Sequence, residues 1–494
     1  MVVLEDYERK NFELKTIGAS VQRSGIYIFL ISFSCLYYLS NAEIMLGHYD
    51  LGWHLAAGDL IRDRGSIPVQ DPWSFTLGNR QWYNLSWLWD VIASIIFQYA
   101  KFGGLLLFTL ACGAVIVGYL ASLCFSRGAS AAAVCVSVLS ACVLYPSFAT
   151  PPNVYLAVSP NTVTMLFSVL FYGECLKRTR YLLLPVMMVA WVNLHGGFLL
   201  GFLIIGVFGG VALLRRDWSG AKTYAFAGIG CFVAMFVNPF GWHIFEGLTA
   251  TLGHFVQAYI TEWQSYYLNM TVPGSIPGIL YALLFAVFEL RPNNLRFIPV
   301  ETRLLSWLFL CLGICQFRYM SFFILFSTVP LALYLDRLGL HRFKDLEIRK
   351  WMLAAGTIAM CVLPLMFVKM APALGLPDML SQQDALYLQA HFSHARLLNH
   401  WNVGGLLIFR TRGTVPVFVD GRAATAYPDD LLRDYFSLVY WEVDERAWDS
   451  VLEKYRIDAV LWVKEHEPLR RFLVDKRGWK EEYTGAYESV YVRP

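Results

Sequence analysis

The sequence predicts an all-α polytopic membrane protein carrying a small α/β domain at its C-terminus. Three observations lead there. Of 494 residues, 57% are hydrophobic and only 16% charged, against about 25% charged in a typical soluble domain. About a dozen apolar runs approach the roughly 20 residues that a membrane crossing needs. Beyond about residue 372 the apolar runs stop and short strand-like and helix-like stretches alternate. A soluble enzyme, a disordered chain and a secreted disulfide scaffold are excluded together. The net charge of +3 decides nothing, because the position of each charge matters more than the sum.

The runs lie near 24–46, 84–100, 103–125, 130–146, 160–176, 181–194, 198–214, 223–238, 277–290, 301–317, 320–335 and 351–370. The first 22 residues are polar and charged, so the first run reads as an uncleaved anchor. Its flanking Arg9, Lys10, Lys15 and Arg23 keep the N-terminus cytoplasmic. The mixed-charge loop 47–83 is then outside. If 84–100 also crossed, the clusters Lys177/Arg178/Arg180 and Arg215/Arg216/Lys222 would lie outside, against the rule that basic loops stay in. A segment 84–100 lying along the outer surface, with Trp82, Trp87 and Trp89 at the interface, returns every cluster to the cytoplasm. About eleven true spans follow.

The stretch 181–214 has basic clusters at both ends and therefore needs an even number of crossings. Two short helices meeting at Asn193-Leu194-His195-Gly196-Gly197 satisfy this, and the broken backbone implies a cavity beside it. The segment 239–276 lies outside, with Ile244, Phe245, Leu248, Leu252, Phe255 and Val256 at the spacing of an amphipathic helix on the bilayer. Residues 1–371 form the membrane domain, with outer loops 47–101 and 239–276, and 372–494 an extracytoplasmic domain. In the latter, strand-like runs (Gly405–Phe409, Val415–Asp420, Asp458–Val463, Ser489–Val492) alternate with helical ones (Ala385–Leu398, Leu431–Tyr440, Ala447–Tyr455, Leu469–Lys476). All ten cysteines fall in apolar runs and read as packing residues.

This threading gathers the polar residues on one side of the membrane: Asp50, Trp53 and His54 after the first span, Asp71 further along that loop, and His195 at the broken turn. Asn238, Glu262 and Trp263 follow in the next outer loop, and Arg318-Tyr319 in a short outer turn. Carboxylates can remove a hydroxyl proton, Trp and Tyr rings offer faces to a sugar, and an Arg fork suits a phosphate leaving group. Each also has a plainer role. Asp50 is placed to cap the helix that begins at Leu51, His54 to pack, and His195 and Asn238 to form turns. Arg318 is placed to snorkel, and Asp71 before Pro72 to start a turn. Glu262 beside Trp263 requires water or a partner. No metal-ligand cluster, P-loop, nucleophile elbow or dinucleotide fingerprint occurs, so neither a metal nor a cofactor is expected, and nothing points to nucleic acid. Few charges fall in mid-span, which disfavours a transporter.

Taken together, the phrases Asp50-x-x-Trp53-His54-x-x-x-Gly58, Ile67-Pro68-x-x-Asp71-Pro72-x-Ser74-Phe75, Trp191-x-Asn193-Leu194-His195-Gly196-Gly197, Asn238-Pro239-Phe240-Gly241, Glu262-Trp263-Gln264, Trp401-Asn402-x-Gly404-Gly405 and Val419-Asp420-Gly421-Arg422 resemble a group of bacterial membrane proteins related to the GT-C class of polytopic glycosyltransferases. The resemblance implies a GT-C-like fold in the bacterial inner membrane. It further implies a polyprenyl-phosphate-linked sugar donor, and a glycan, lipid or protein acceptor in the cell envelope. By the same resemblance the role of catalytic base or acceptor-binding residue falls on Asp50, with Glu262 a candidate second acid and Arg318 a candidate lipid-phosphate contact. Trp53, His54, His195, Asn238, Trp263 and Tyr319 complete the expected site. The chain departs from the class in carrying Leu51 rather than a second acid after Asp50, and Ser159-Pro160 where Arg-Pro is usual. The alternative is a non-catalytic scaffold of an envelope-assembly or export machine, docking through Asp420-Gly421-Arg422.

Overall fold

In the computed structural model the described residues are 23–47, 49–78, 80–147, 156–251, 254–265, 275–290, 297–342, 345–371, 374–376, 379–439 and 442–494. Among the described residues the part expected in the membrane is built of helices: α1 (Arg23–Leu39), α4 (Trp87–Ser126), α5 (Ala131–Ser147), α6 (Pro160–Lys177), α7 (Leu183–Leu194), α8 (Leu199–Leu214), α9 (Trp218–Ala234), α11 (Ser275–Glu289), α12 (Val300–Cys315), α13 (Met320–Arg337) and α14 (Asp345–Met370). Among the described residues four stretches are long and apolar enough by themselves to cross a membrane: Trp87–Ser126, Gly196–Leu214, Phe317–Arg337 and Lys350–Met370. The short helices α2 (Ala42–Leu46) and α3 (Leu51–Arg64) open the first long loop, and α10 (Ile244–Thr251) lies in the second.

Helix α4 is two helices joined at an elbow. Lys101, at φ 51° and ψ −152°, breaks the α-geometry, so Trp87–Ala100 separates from the following apolar stretch where the sequence places the end of a surface segment. The α7–α8 connection is likewise interrupted: His195 is extended (φ −167°, ψ 144°) and a 3₁₀ turn, Gly196–Phe198, starts α8.

The bundle has two polar ends. At one, Arg178 pairs with Asp217 at 2.7 Å, Arg178 and Arg215 both approach Glu301 at 3.5 Å, and Ser130 N donates to Asp336. Those residues terminate α6, α8, α9, α12, α13 and α5. The opposite ends of α6, α7, α8, α12 and α13 surround a cavity. The 18 residues of α6 rise about 27 Å at 1.5 Å each, so the basic clusters and the cavity are a helix length apart.

The C-terminal part folds around a four-stranded sheet of order β1-β2-β4-β3: β1 (Leu397–Asn399), β2 (Ala459–Val463), β3 (Lys480–Thr484) and β4 (Glu488–Val492). β1 and β2 are parallel and the other pairs antiparallel. Helices α15 (Gln382–Phe392), α16 (Trp401–Arg410), α17 (Asp429–Phe436), α18 (Glu445–Lys454) and α19 (Glu467–Arg470) cover it. Ser381 and Asp384 form a capping box on α15, worth roughly 1 kcal/mol.

Several sequence expectations need correction here. Gly405–Phe409 is not a strand but the body of α16, an apolar run too short for periodicity to separate helix from strand. Val415–Asp420 joins no named strand; it runs beside the first loop, where Val417 N donates to Trp73 O and Phe75 N to Val417 O. The end of the expected helix Ala385–Leu398 is instead β1. The segment 244–256 is not one continuous amphipathic helix: α10 ends at Thr251, and Phe255–Ala258 is a 3₁₀ turn. Ile244 and Leu248 are buried in the bundle core rather than facing lipid; Leu252 lies outside the described residues. The second hydrophobic core is shared, for Leu51, Trp53, Trp73, Trp82 and Trp89 of the first loop pack with Leu397, Leu407, Phe418, Tyr427 and Trp462 of the C-terminal part.

Candidate active site

A cavity of about 380 Å³ opens where the first loop, the interrupted α7–α8 turn, the second loop, the α12–α13 turn and the C-terminal part meet. Its size is that of a small-molecule pocket. Asp50, Trp53, His54, His195, Glu262, Trp263, Arg318 and Tyr319 all line it. Asn238 does not. Its side chain accepts from Phe240 N at 2.8 Å and donates to Met235 O at 2.7 Å, closing its own Pro-Phe-Gly turn.

Asp50 occupies the N-cap of α3, yet its side chain makes no capping hydrogen bond. The carboxylate lies instead against Gly421 of the C-terminal part, so closely that a Cβ at 421 would overlap Oδ1. One turn along, His54 faces the same cavity, as i,i+4 residues on a helix do. Its Nδ1 lies 2.6 Å from Asp90 Oδ1 in the Trp87–Ala100 segment, and Asn84 Nδ2 donates to Asp90 Oδ2 at 2.7 Å. The imidazole stacks on Trp53 (centroids 3.6 Å apart) and meets Trp89 edge-on at 5.0 Å.

The facing wall comes from the interrupted turn. Trp191 Nε1 donates to Thr164 Oγ1 at 3.0 Å, and that hydroxyl lies 2.7 Å from His195 Nδ1. Burial, with the nearby charges of Arg318 and His54 adding to it, pushes His195 down to about 3, so this imidazole is neutral at physiological pH. Arg318, in the Phe317–Tyr319 turn between α12 and α13, lies 4.2 Å over the Trp263 ring and 3.8 Å from Glu262 Oε1. The partner that Glu262 requires is therefore Arg318. The second loop is held to this turn by Phe317 N donating to Gln264 O at 2.9 Å and Gln316 Nε2 to Gln257 Oε1 at 3.0 Å.

Sequence reasoning missed two contributors. Asp90 was not singled out, because nothing near it in the sequence tells which side chain an acid in an apolar helix will meet. The roof formed by Trp401 and Gly421–Thr425 was legible only as the phrases Trp401-Asn402-x-Gly404-Gly405 and Val419-Asp420-Gly421-Arg422, with nothing to say where they fold. Within that roof Arg422 is 2% exposed. It bonds to Asp71, pairs with Asp420 at 2.6 Å and reaches Ser74 and Tyr427. Its guanidinium lies 4.9 Å from both Trp73 and Trp82. Asp71 also accepts from Ser74 N at 2.7 Å, so the turn role and the ion pair coexist. Asp420, at 0% exposure, offers no docking surface. Among the described residues no three His, Cys, Asp or Glu side chains converge in a metal-holding group.

No protein-family model and no curated protein sequence matches the chain. Solved structures do. The oligosaccharyltransferase AglB of the archaeon Archaeoglobus fulgidus, in complex with an inhibitory peptide and a dolichol-phosphate, superposes with a TM-score of 0.60 at 11% identity, covering 91% of this chain and 71% of that one. The apo form of the A. fulgidus oligosaccharyltransferase gives 0.61 at 12% identity with the same coverage. Identity this low speaks to architecture alone: the chain has a GT-C-like membrane fold.

Proposed function

We propose that the protein is an integral membrane glycosyltransferase that moves a sugar from a polyprenyl-phosphate-linked donor to an envelope acceptor. It would work on the outer face of the bacterial inner membrane, with about eleven crossings, the N-terminus inside and the C-terminal part outside. The observation that carries the reading is the convergence of Asp50, Glu262–Arg318, two histidines and Trp faces from five separate chain segments on one cavity. That the basic clusters occupy the other end of the bundle supports the outward orientation. The elbow at Lys101 supports a surface helix before the second crossing. The archaeal enzyme of like fold was solved with a dolichol-phosphate, which supports a polyprenyl phosphate as the lipid.

Asp50 would take the acceptor's hydroxyl proton as its oxygen attacks the anomeric carbon. Arg318, steadied by Glu262 and Trp263, would neutralise the charge growing on the departing phosphate, while Trp53 and Trp263 offer stacking faces. Neutral His195 can accept or donate one hydrogen bond to the sugar without adding charge. The rival scaffold reading loses its docking surface, because Asp420 and Arg422 are buried against the first loop. The test is mass spectrometry of envelope glycans and glycoproteins from a deletion strain complemented with wild type or Asp50→Asn. A lost general base costs about 10²–10⁴-fold, so the variant restores no product although the protein accumulates normally. A fully active Asp50→Asn overturns the assignment.

A further inference from the structure

Nothing above gives a proton to the departing phosphate, and one group in the cavity is built for it. We propose that His54, oriented by Asp90, is the general acid for the leaving group, so that base and acid stand one helical turn apart on α3; this rests on the transfer reading above.

His54 lines the cavity while being only 4% exposed. Its Nδ1 is committed to Asp90 at 2.6 Å, and no partner for Nε2 occurs among the described residues. Asp90 is fully buried, and its other oxygen is taken by Asn84, so the carboxylate has one imidazole to answer and a fixed direction in which to hold it. An imidazole held through Nδ1–H by a carboxylate presents Nε2 with a defined proton inventory, the logic of positioned histidines in general. His195 has the opposite surroundings: a hydroxyl rather than a carboxylate on Nδ1, and burial that keeps it neutral. Two like groups in contrasting environments is the arrangement that separates a proton donor from a neutral hydrogen-bonder.

Glu262 and His254 of the second loop, with Tyr83 and Tyr319, line the same cavity as His54. Asp90 comes from the Trp87–Ala100 segment, Asp50 from its own helix, and His195 and Arg318 from the facing wall. His400 and Arg410 flank or end α16, which packs on α3. The closed Arg422–Asp71–Asp420 group lies behind Trp82. In the step, the bond from the anomeric carbon to the phosphate oxygen breaks and its electron pair stays on that oxygen, which takes the Nε2 proton. The acceptor oxygen bonds to the anomeric carbon and its proton passes to Asp50. Return of that proton to His54 through solvent closes the cycle without any further reactant. His54 is thus a catalytic residue and Asp90 a positioning residue.

The test uses the full chain in nanodiscs, with decaprenyl phosphate as the probe and uncharged decaprenol as its control, read by tryptophan fluorescence. At about pH 6 His54→Gln binds decaprenyl phosphate about tenfold more weakly than wild type, the size of one charge-assisted hydrogen bond. At about pH 8.5 the two bind alike, and decaprenol binding is unchanged at both. Asp90→Asn, which keeps shape and hydrogen bonding, loses the same low-pH advantage while its melting temperature shows that it is folded. Equal affinity of His54→Gln and wild type at pH 6 overturns the proposal. So does an equal loss at both pH values or for both probes, which marks a merely structural tie between helices. A wild type that binds no decaprenyl phosphate overturns the lipid-linked donor reading itself, an outcome distinct from a wild type that binds while the variants match it.

Discussion

At Gly421 a single hydrogen in place of a methyl decides whether the C-terminal part can reach the site. Any Cβ there would overlap Asp50 Oδ1, so Gly421→Ala must push the carboxylate aside. We expect product formation to fall by at least about 10²-fold, as for loss of a base, in the same glycan assay. A second residue governs stability rather than chemistry. Glu488 on β4 is 3% exposed, and neither carboxyl oxygen has a hydrogen-bond partner among the described residues. Burial, with Glu465 and Asp384 adding to it, pushes it up to about 8 from an ordinary 4.5. An acid whose folded value is raised binds more protons folded than unfolded, so stability falls as pH rises from about 4.5 to about 8. Melting curves across that range should show the fall in wild type and lack this component in Glu488→Gln. Asp50 and Arg318 stood out in the sequence because each lies close to an apolar run, and Glu262 because it stands beside Trp263. Glu488 and Asp90 were silent, since only the fold says that water is absent around them.

Helix α3 explains why its motif is spaced as it is. Gly52 faces the backbone of Gly405 in α16, and Gly58 faces the carbonyl of Asp90; a Cβ at either position would overlap those backbone atoms. The two glycines let α3 press between the C-terminal part and the Trp87–Ala100 helix, which sets Asp50 and His54 at the cavity rim. Gly58→Ala should cost about 1–3 kcal/mol, the usual penalty of overpacking, measured as reduced thermal stability of the purified protein. It should also lower activity, because the helix that shifts carries His54. The helices were readable because apolar length and basic ends are local properties. The identity of Gly405–Phe409 was not, because five apolar residues fit either element until Trp401 and Phe436 (ring centroids 5.4 Å apart) fix the helix against its neighbour.

On the scale of the whole molecule, a buried ion group welds two distant parts of the chain. Arg422 answers both Asp71 and Asp420, with all three side chains at 0% exposure. Removing one member of such a group strands the others and typically costs about 3–5 kcal/mol. Arg422→Ala should therefore lower the melting temperature and speed limited proteolysis of the C-terminal part, as the shared core opens. Arg422→Lys should rescue little, because an ammonium cannot satisfy two carboxylates in a planar fork. Unchanged stability in Arg422→Ala would show that the shared apolar core alone joins the parts.

The amino-acid sequence by itself determined the membrane class, the positions of most membrane helices, the broken turn at His195 and most of the polar residues that line the cavity. Hydrophobic run length, basic flanks and loop chemistry are written within a few residues of where they act. The tertiary structure alone decided that the C-terminal part roofs the site, that Glu262 pairs with Arg318, and that Asp90 holds His54 while Asn238 merely closes a turn. Those contacts join residues tens to hundreds of positions apart, and no local pattern encodes which buried charge will meet which partner once water has been expelled.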